Sequence, residues 1–397
     1  MHEICKLKEN IRIQEIVNTE IIPLEPAFLQ SSSLKDISSE IDKVRSDIKR
    51  QGLWAPFLDK ERGGMGLSLR DFAETSEILG QSPLGHYAFG CQAPDLGNIE
   101  LLIKFATPAQ KAKYLAPLIA GEVRSCFAMT EKENSGANPL FLEAKAEKVG
   151  PYYKINGNKW FTTGADGAAF CLAMLASENT DNPRNNASIV IIPTESPGFH
   201  IRRNISVMGH PGAGPFSHSE IEFKDCMVPE ENLLSTPGSG YQLAQDRLGP
   251  GRIHHCMRWI GIAKRAWKMM CQRAINRKIS TKGFLGESSL IQTWISECAA
   301  DIQAARLMVH NAIEVLESQD KKQARAQISM IKFFVANILQ NVLDKSLQVH
   351  GSLGMSDDTI LAYFYREERA ARIYDGPDEV HKISLAQRLM RPFKDEE

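Results

Sequence analysis

None of the eight cysteines in this 397-residue chain forms a Cys-x-x-Cys pair. That excludes the usual thiolate zinc spacing and the dithiol redox motif, and it reads as reduced thiols in a cytoplasmic protein. No apolar run approaches the ~20 residues needed to cross a bilayer, so no membrane span is expected. Neither sign of charge is in excess: 47 Lys and Arg stand against 48 Asp and Glu, a net charge of -1. A balanced field gives no general attraction to nucleic acid or to an anionic membrane. The opening MHEICKLKENIRIQEIV lacks the apolar core of a signal peptide, and its acids argue against a transit peptide. The turn Glu61-Arg62-Gly63-Gly64-Met65-Gly66 lacks the Lys and spacing of a phosphate-binding P-loop and reads as structural. No internal repeat, low-complexity tract or flexible linker is visible.

What is present is ordinary for a soluble globular chain, with 43% hydrophobic and 24% charged residues, and the length calls for two or three packed parts. Residues 1–122 read as mostly helical. Ile13, Ile16, Val17 and Ile21 recur at helical spacing, with Pro23 as the expected stop. Gln110–Leu118 looks like a surface helix ending near Pro117. Between 123 and 235 the period changes to that of strands. Tyr152–Ile155 and Lys159–Thr163 flank Asn156-Gly157, which predicts a hairpin with a type I′ turn. Cys171–Leu175, Ser188–Ile192 and Glu220–Phe223 are further short strands. From 236 to 397 helices return: Ile291, Ile295, Cys298, Ile302, Ala305, Val309, Ile313 and Leu316 make one long amphipathic stripe, and Ala324–Val349 a second helix.

The most informative stretch is 345–391. A helical run from Ile360 to Tyr374 is cut at Asp375-Gly376-Pro377. Gly permits a turn that other residues resist, Pro suits the start of a new helix, and Asp378 and Glu379 suit that helix's positive end. Asp375 is thus a carboxylate at a fixed break between helices. Two readings stay open on these residues alone, a turn or cap residue and a positioned proton-abstracting base. Upstream, Gly351 and Gly354 mark a bend that lets backbone approach a ligand closely.

Over nearly its whole length the chain resembles the acyl-CoA dehydrogenase family. The matching residues are Cys126-Phe127-Ala128-Met129-Thr130-Glu131; Asn156-Gly157-Asn158-Lys159-Trp160-Phe161-Thr162-Thr163-Gly164; Arg277; Gln348 with Gly351 and Gly354; and Tyr374-Asp375-Gly376. Ala93–Asn98, Arg247–Arg258 and Asp375–His381 resemble the subgroup of family members 10 and 11. The resemblance implies an α+β fold: an N-terminal α-helical domain (1–122), a middle β-barrel or sandwich (123–235) and a C-terminal four-helix bundle (236–397).

It also implies FAD as cofactor. Phe127, Met129, Thr130, Trp160, Phe161, Thr162 and Thr163 would contact the isoalloxazine. Read without the resemblance, the aromatic pair would be core of the hairpin. Arg277 and Gln348 would reach the FAD pyrophosphate of a neighbouring subunit, which implies a homotetramer; Gly351, Pro377 and Glu379 complete the cofactor set. Arg277 by itself reads as part of a solvated helix face. Asp375 takes the place of the family's base, usually Glu, in an apolar pocket that would strengthen it. It would remove the proton alpha to an acyl-CoA thioester while hydride leaves the beta carbon for the flavin, with the base's own backbone N–H polarising the carbonyl. Some relatives place the base at the position of Gly251, which here cannot serve. Gly136, Arg252, Tyr374 and Gly376 fall on the substrate side, and Arg252 also reads as a helix-end salt bridge. The activity implied is that of an acyl-CoA dehydrogenase of fatty-acid beta-oxidation, with electron-transfer flavoprotein as acceptor. Two alternatives remain: an enzyme like nitroalkane oxidase with Asp375 as base, and a non-enzymatic family member. Three departures from the family pattern stand out: Lys132–Asn138 in place of Pro-Gly-x-Gly-Ser-Asp, Ser280-Thr281 in place of Phe-Gly, and Pro377 in place of Thr.

Overall fold

The computed structural model describes residues 2–31, 33–178, 180–318 and 321–393. They fall into two compact units. One holds the helices up to Phe89, apart from 31–36, together with the chain from Arg252 onward; the other centres on Gly90–Gly251.

The chain opens with α1 (His2–Ile16), passes through a π turn (Val17–Ile21) and a 3-10 turn (Ile22–Leu24), and enters α2 (Glu25–Ser31). Ile13, Ile16, Val17 and Ile21 are all fully buried, as their spacing requires. Pro23 does not stop the helical path. It sits at the start of the 3-10 turn, where its missing N–H leaves no bond unmade. Then come α3 (Ser38–Arg50), α4 (Leu69–Leu79) and the short α5 (Gly85–Ala88). The glycine turn at 61–66 is structural: the Asp59 carboxylate accepts from the Arg62 N–H at 2.9 Å and caps it.

In the other unit α6 (Asp95–Phe105) precedes α7 (Pro108–Gln110), which a Thr107/Gln110 capping box opens, and α8 (Ala116–Ala120). Pro117 opens this last turn and does not close it; Gly121, at φ 68°, does. Tyr114, Leu115 and Leu118 are buried, so the segment is half core and not a surface helix.

Among the described residues eight strands follow: β1 (Ser125–Ala128), β2 (Lys145–Val149), β3 (Tyr152–Thr163), β4 (Phe170–Ala176), β5 (Ala187–Pro193), β6 (Phe199–Asn204), β7 (His218–Pro229) and β8 (Leu233–Leu234). They form one mixed sheet in the order β6-β7-β3-β2-β4-β5-β8, with β1 pairing β4 in parallel. Its inner face buries Ala128, Ile155, Ala173, Val190, Ile221 and Phe223, among others, in a single apolar cluster. β4 and β5 are buried along almost their full length, which is why they read as continuous apolar runs.

Asn156-Gly157 makes no hairpin. β3 runs straight through it, and the ladder to β7 slips there between Ile155 and Gly157. Asn156 Oδ1 accepts from the Asp225 N–H at 2.8 Å, so the side chain bridges strands instead of closing a turn. Gly157 is required for another reason: at φ 131° a Cβ would lie 2.5 Å from the Ala144 Cα. The dipeptide marks a bulge, and the reversal falls at Gly150-Pro151, between β2 and β3. Gly157→Ala is therefore expected to destabilise this unit by more than about 2 kcal/mol, through backbone strain and a contact that cannot relax. A denaturant midpoint equal to wild type would contradict it.

The remaining helices are α9 (Gly240–Asn276), α10 (Ser289–Glu317), α11 (Lys321–His350), α12 (Ile360–Glu368) and α13 (Asp378–Met390). The α10 stripe faces inward, with Ile291, Cys298, Ile302, Ala305, Val309 and Ile313 buried. α11 packs on both α10 and α13. By length and composition alone, Gln323–Met355 could cross a membrane; here Ile331, Val335, Leu339, Val342 and Leu343 are core residues. The run Ile360–Tyr374 is not one helix. α12 stops at Glu368, tightens to a 3-10 turn over Arg369–Arg372, and the break follows.

Candidate active site

Asp375 stands at that break with φ 55°, a left-handed conformation rare for a non-glycine residue, and Gly376 follows at φ 99°. Two side chains fix this backbone. Arg252 Nε on α9 donates to the Asp375 carbonyl at 3.0 Å, and His381 Nε2 on α13 lies 3.0 Å from the same oxygen. A carbonyl only accepts, so His381 carries its proton on Nε2. Burial, reinforced by Arg252, pulls the His381 imidazole down to about 4, which keeps it neutral near pH 7. A Cβ on residue 376 would meet His381 Nε2 at 2.8 Å, so glycine there keeps the contact open.

With its backbone held, the Asp375 carboxyl is aimed by the break. Its side chain is 17% exposed, and Oδ2 lies 3.5 Å from His255 Nε2. The His255 ring stacks on Trp259 at 5.9 Å and leans on Tyr374 at 5.1 Å. The Tyr374 hydroxyl accepts from Arg258 Nη2 at 2.9 Å and Trp259 Nε1 at 3.0 Å. Arg258 and Glu368 form a two-pronged ion pair behind this aromatic wall. Burial holds the Tyr374 phenol well above its ordinary value, so it stays neutral. Burial also lowers the Arg252 guanidinium somewhat, against the pull of Asp375. Aromatic rings thus stand on the carboxyl's side of the break, and the Arg252 guanidinium attracts it.

The expected flavin-contact residues of the middle segment lie together in the other unit. Phe127, at the end of β1, lies under the Arg247 guanidinium at 4.3 Å. Met129 and Thr130 lead out of that strand, and the Trp160 N–H donates to the Thr130 carbonyl at 2.8 Å, which ties the two motifs together. The β3 ladder is irregular again between Lys159 and Thr162, and Phe161 adopts φ 54° with 41% of its surface exposed. This second bulge turns Trp160 and Phe161 off the sheet; they are not the core pair of a hairpin. Thr163 Oγ1 pairs with His218 Nδ1 at 2.9 Å, whereas Thr162 Oγ1 is buried and has no hydrogen-bond partner among the described residues. Gly136 lies on the exposed loop after Thr130, which with Met129, Glu131 and Phe141 borders a small hollow.

Other expected residues do not join either cluster. Arg277, Gln348, Gly351 and Glu379 are exposed. Arg277 uses its backbone, accepting from the Leu285 N–H, and Pro377 caps α13.

Two features lay inside motifs already quoted yet gave no sign of their role. Lys159 is wholly buried, with Nζ 2.9 Å from Glu131 Oε1 and 3.1 Å from the Met129 carbonyl. Glu131 also accepts from the Glu143 and Ala144 N–H groups at 2.8 and 3.0 Å and from Asn134 Nδ2 at 2.8 Å, pinning both ends of the 132–142 loop. The second is His255, whose only sequence signal is its place in the Arg247–Arg258 motif.

The same residues match three known family domains: acyl-CoA dehydrogenase N-terminal domain over 12–122, middle domain over 126–226 and C-terminal domain over 238–390. Mouse acyl-CoA dehydrogenase family member 10 is 36% identical over 94% of the chain, and human family member 11 is 34% identical over 96%. The chain spans only about a third to a half of these relatives, 36% and 50% of their lengths. A solved putative acyl-CoA dehydrogenase from Mycobacterium abscessus superposes with a TM-score of 0.93 at 31% identity, over 98% of both chains. On these grounds the chain, with its helical N-terminal and C-terminal domains flanking a middle sheet domain, belongs to the acyl-CoA dehydrogenase family.

Proposed function

We propose that this chain is an FAD-dependent acyl-CoA dehydrogenase in which Asp375 is the base that removes the alpha proton of an acyl thioester. The observation that carries this reading is the held carboxylate. Arg252 and His381 take the Asp375 carbonyl and leave its side chain free to point from the break. The Asp375 N–H makes no hydrogen bond among the described residues, so it is available to a thioester oxygen, where it stabilises enolate charge as the proton leaves. The proton passes to the Asp375 carboxylate, and the electron pair of the C–H bond becomes the new double bond.

FAD is the cofactor of this family, and the residues present fit it. The buried, unpartnered Thr162 hydroxyl suits a polar ring edge, and the bulge offers Trp160 and Phe161 as flat faces. When bound, FAD supplies the acceptor for hydride from the beta carbon. Thr130 and Thr162 would bond its polar edge, and Phe127, Met129, Trp160, Phe161 and Thr163 would line it.

The exposed Arg277, Gln348 and Gly351 suit contact with a cofactor on another subunit, which supports a homotetramer. Apolar Ile383, Leu389 and Phe393 are exposed as well and suit a covered face. Electron-transfer flavoprotein as acceptor, beta-oxidation as setting, a cytoplasmic location and the domain division 1–122, 123–235 and 236–397 complete the proposal.

Anaerobic mixing with a panel of acyl-CoAs tests it. At least one acyl-CoA is expected to bleach the bound flavin. Flavin that resists the whole panel, with O2 uptake on a nitroalkane, would instead favour the alternative that the short Asp base suggests.

A further inference from the structure

Behind the Asp375 break lies a charge that the proposed reaction does not use. Lys332, on α11, is 0% exposed. Its Nζ donates to the Ala371 carbonyl at 2.7 Å, and this is its one hydrogen bond among the described residues. The ammonium sits 6.0 Å from the ring centres of both Trp259 and Tyr374. A buried ammonium with a single protein acceptor is expensive, because burial takes the charge out of bulk water. Its neighbours explain why it is tolerated. Asp378 and Asp375 attract it from α13 and from the break, Cys256 on α9 adds to that pull, and Arg252 on α9 opposes it; Lys332 in turn acts on His381 of α13. Asp378 already has partners of its own, Arg372 Nε and Asn337 Nδ2, both at 2.8 Å.

Resting on the reading of Asp375 as base, we propose that Lys332 is its positioning residue. The bond to Ala371 holds the 3-10 turn that aims Asp375, and the ammonium charge favours the ionised carboxylate. Both roles follow from placement. Ala371 lies four residues before Asp375, in the turn that ends the helical run. An ammonium enclosed by aromatic rings has little water to screen it, so its field reaches the nearby carboxylates. Burial pulls the amine down to about 8, against the attraction of Asp378 and Asp375, so the charge is present at neutral pH and is lost just above it.

The test compares Lys332→Gln, which keeps a donor without charge, with Lys332→Met, which keeps neither. The first readout is the pH profile of flavin bleaching by an acyl-CoA. In wild type and in Lys332→Gln alike the rate is expected to level off once the base is ionised, because a neutral amine or amide still donates to the Ala371 carbonyl. The acid limb of Lys332→Gln moves upward by roughly half a pH unit to one unit, because an opposite charge has gone from near the carboxylate. Lys332→Met shows the same shift and also loses about 10-fold or more in maximal rate, as expected for a misplaced base.

The second readout needs no substrate. It is the pH titration of the Asp375 carboxyl carbon by NMR in aspartate-labelled protein, the signal being assigned by its loss in Asp375→Asn. A titration that moves upward in Lys332→Gln supports the proposal even if no acyl-CoA on the panel is turned over. A carboxyl titration and acid limb unchanged in both variants overturn it, and if Asp375→Asn still abolishes bleaching, the reading of Asp375 as base survives that failure.

Discussion

Asp375→Asn leaves a protein that folds and retains flavin but whose flavin is bleached by acyl-CoA roughly 10²–10⁴-fold more slowly, the range associated with loss of a positioned general base. The substitution is nearly isosteric. The contacts that hold the break use the Asp375 carbonyl, through Arg252 and His381, and survive it. Only the carboxylate next to His255 changes. A loss of similar size with the fold intact separates a base from a turn residue, whose replacement by Asn, itself a residue that tolerates left-handed backbone, would be almost silent. Stopped-flow absorbance in the flavin band measures the rate; a bleaching rate within a factor of two of wild type would remove Asp375 from the mechanism.

The largest expected effect on stability lies in the other unit. Lys159→Met breaks a pair whose side chains are 0% and 6% exposed. It leaves a buried carboxylate short of its cation, and breaking a buried pair from one side costs about 3–5 kcal/mol. Replacing Lys159 and Glu131 together by apolar residues is expected to recover part of that for the pair itself. It does not restore the Glu143, Ala144 and Asn134 donors that the carboxylate collects, so the 132–142 loop stays loose. Acid acts in the same direction. Burial pushes the Glu131 carboxyl up, but Lys159 and the two backbone donors outweigh it and leave it below its ordinary value. A carboxylate lowered by folding contributes stability that is complete above its unfolded value and is lost as pH falls through its folded one. The wild-type advantage over the double variant should therefore shrink on acidification below the ordinary carboxylate range. Denaturant melts of the single and double variants across that range check both statements; Lys159→Met as stable as wild type would contradict the account.

What could be read from the sequence, and what could not, divides along physical lines. Periodicity placed the α10 stripe and β4 and β5, because burial there follows from local spacing. The break at Asp375-Gly376-Pro377 was also visible, since glycine and proline act on their own backbone. Asn156-Gly157 misled for the converse reason: the dipeptide shows that a glycine conformation is needed, but only the neighbours, Ala144 and Asp225, decide between turn and bulge. Pro23 and Pro117 misled because each falls at the start of a helical turn, where proline is tolerated. Lys332 was not legible at all. Local pattern allows a lysine on an amphipathic helix to face water, and only the arrival of Trp259 and Tyr374, far off in sequence, buries it. His255 became a partner of Asp375 in the same way, through a contact spanning α9 and the C-terminal break.

The central claim is that Asp375 takes a proton from the carbon alpha to a thioester. It is tested most directly with a 3-thiaacyl-CoA, whose sulfur in the beta position prevents hydride loss and isolates the proton step. The flavin-loaded protein is held with this analogue in D2O, and deuterium uptake at the alpha carbon is followed by mass spectrometry. The account predicts steady exchange by wild type and none above background by Asp375→Asn. Exchange at the wild-type rate in that variant would contradict it.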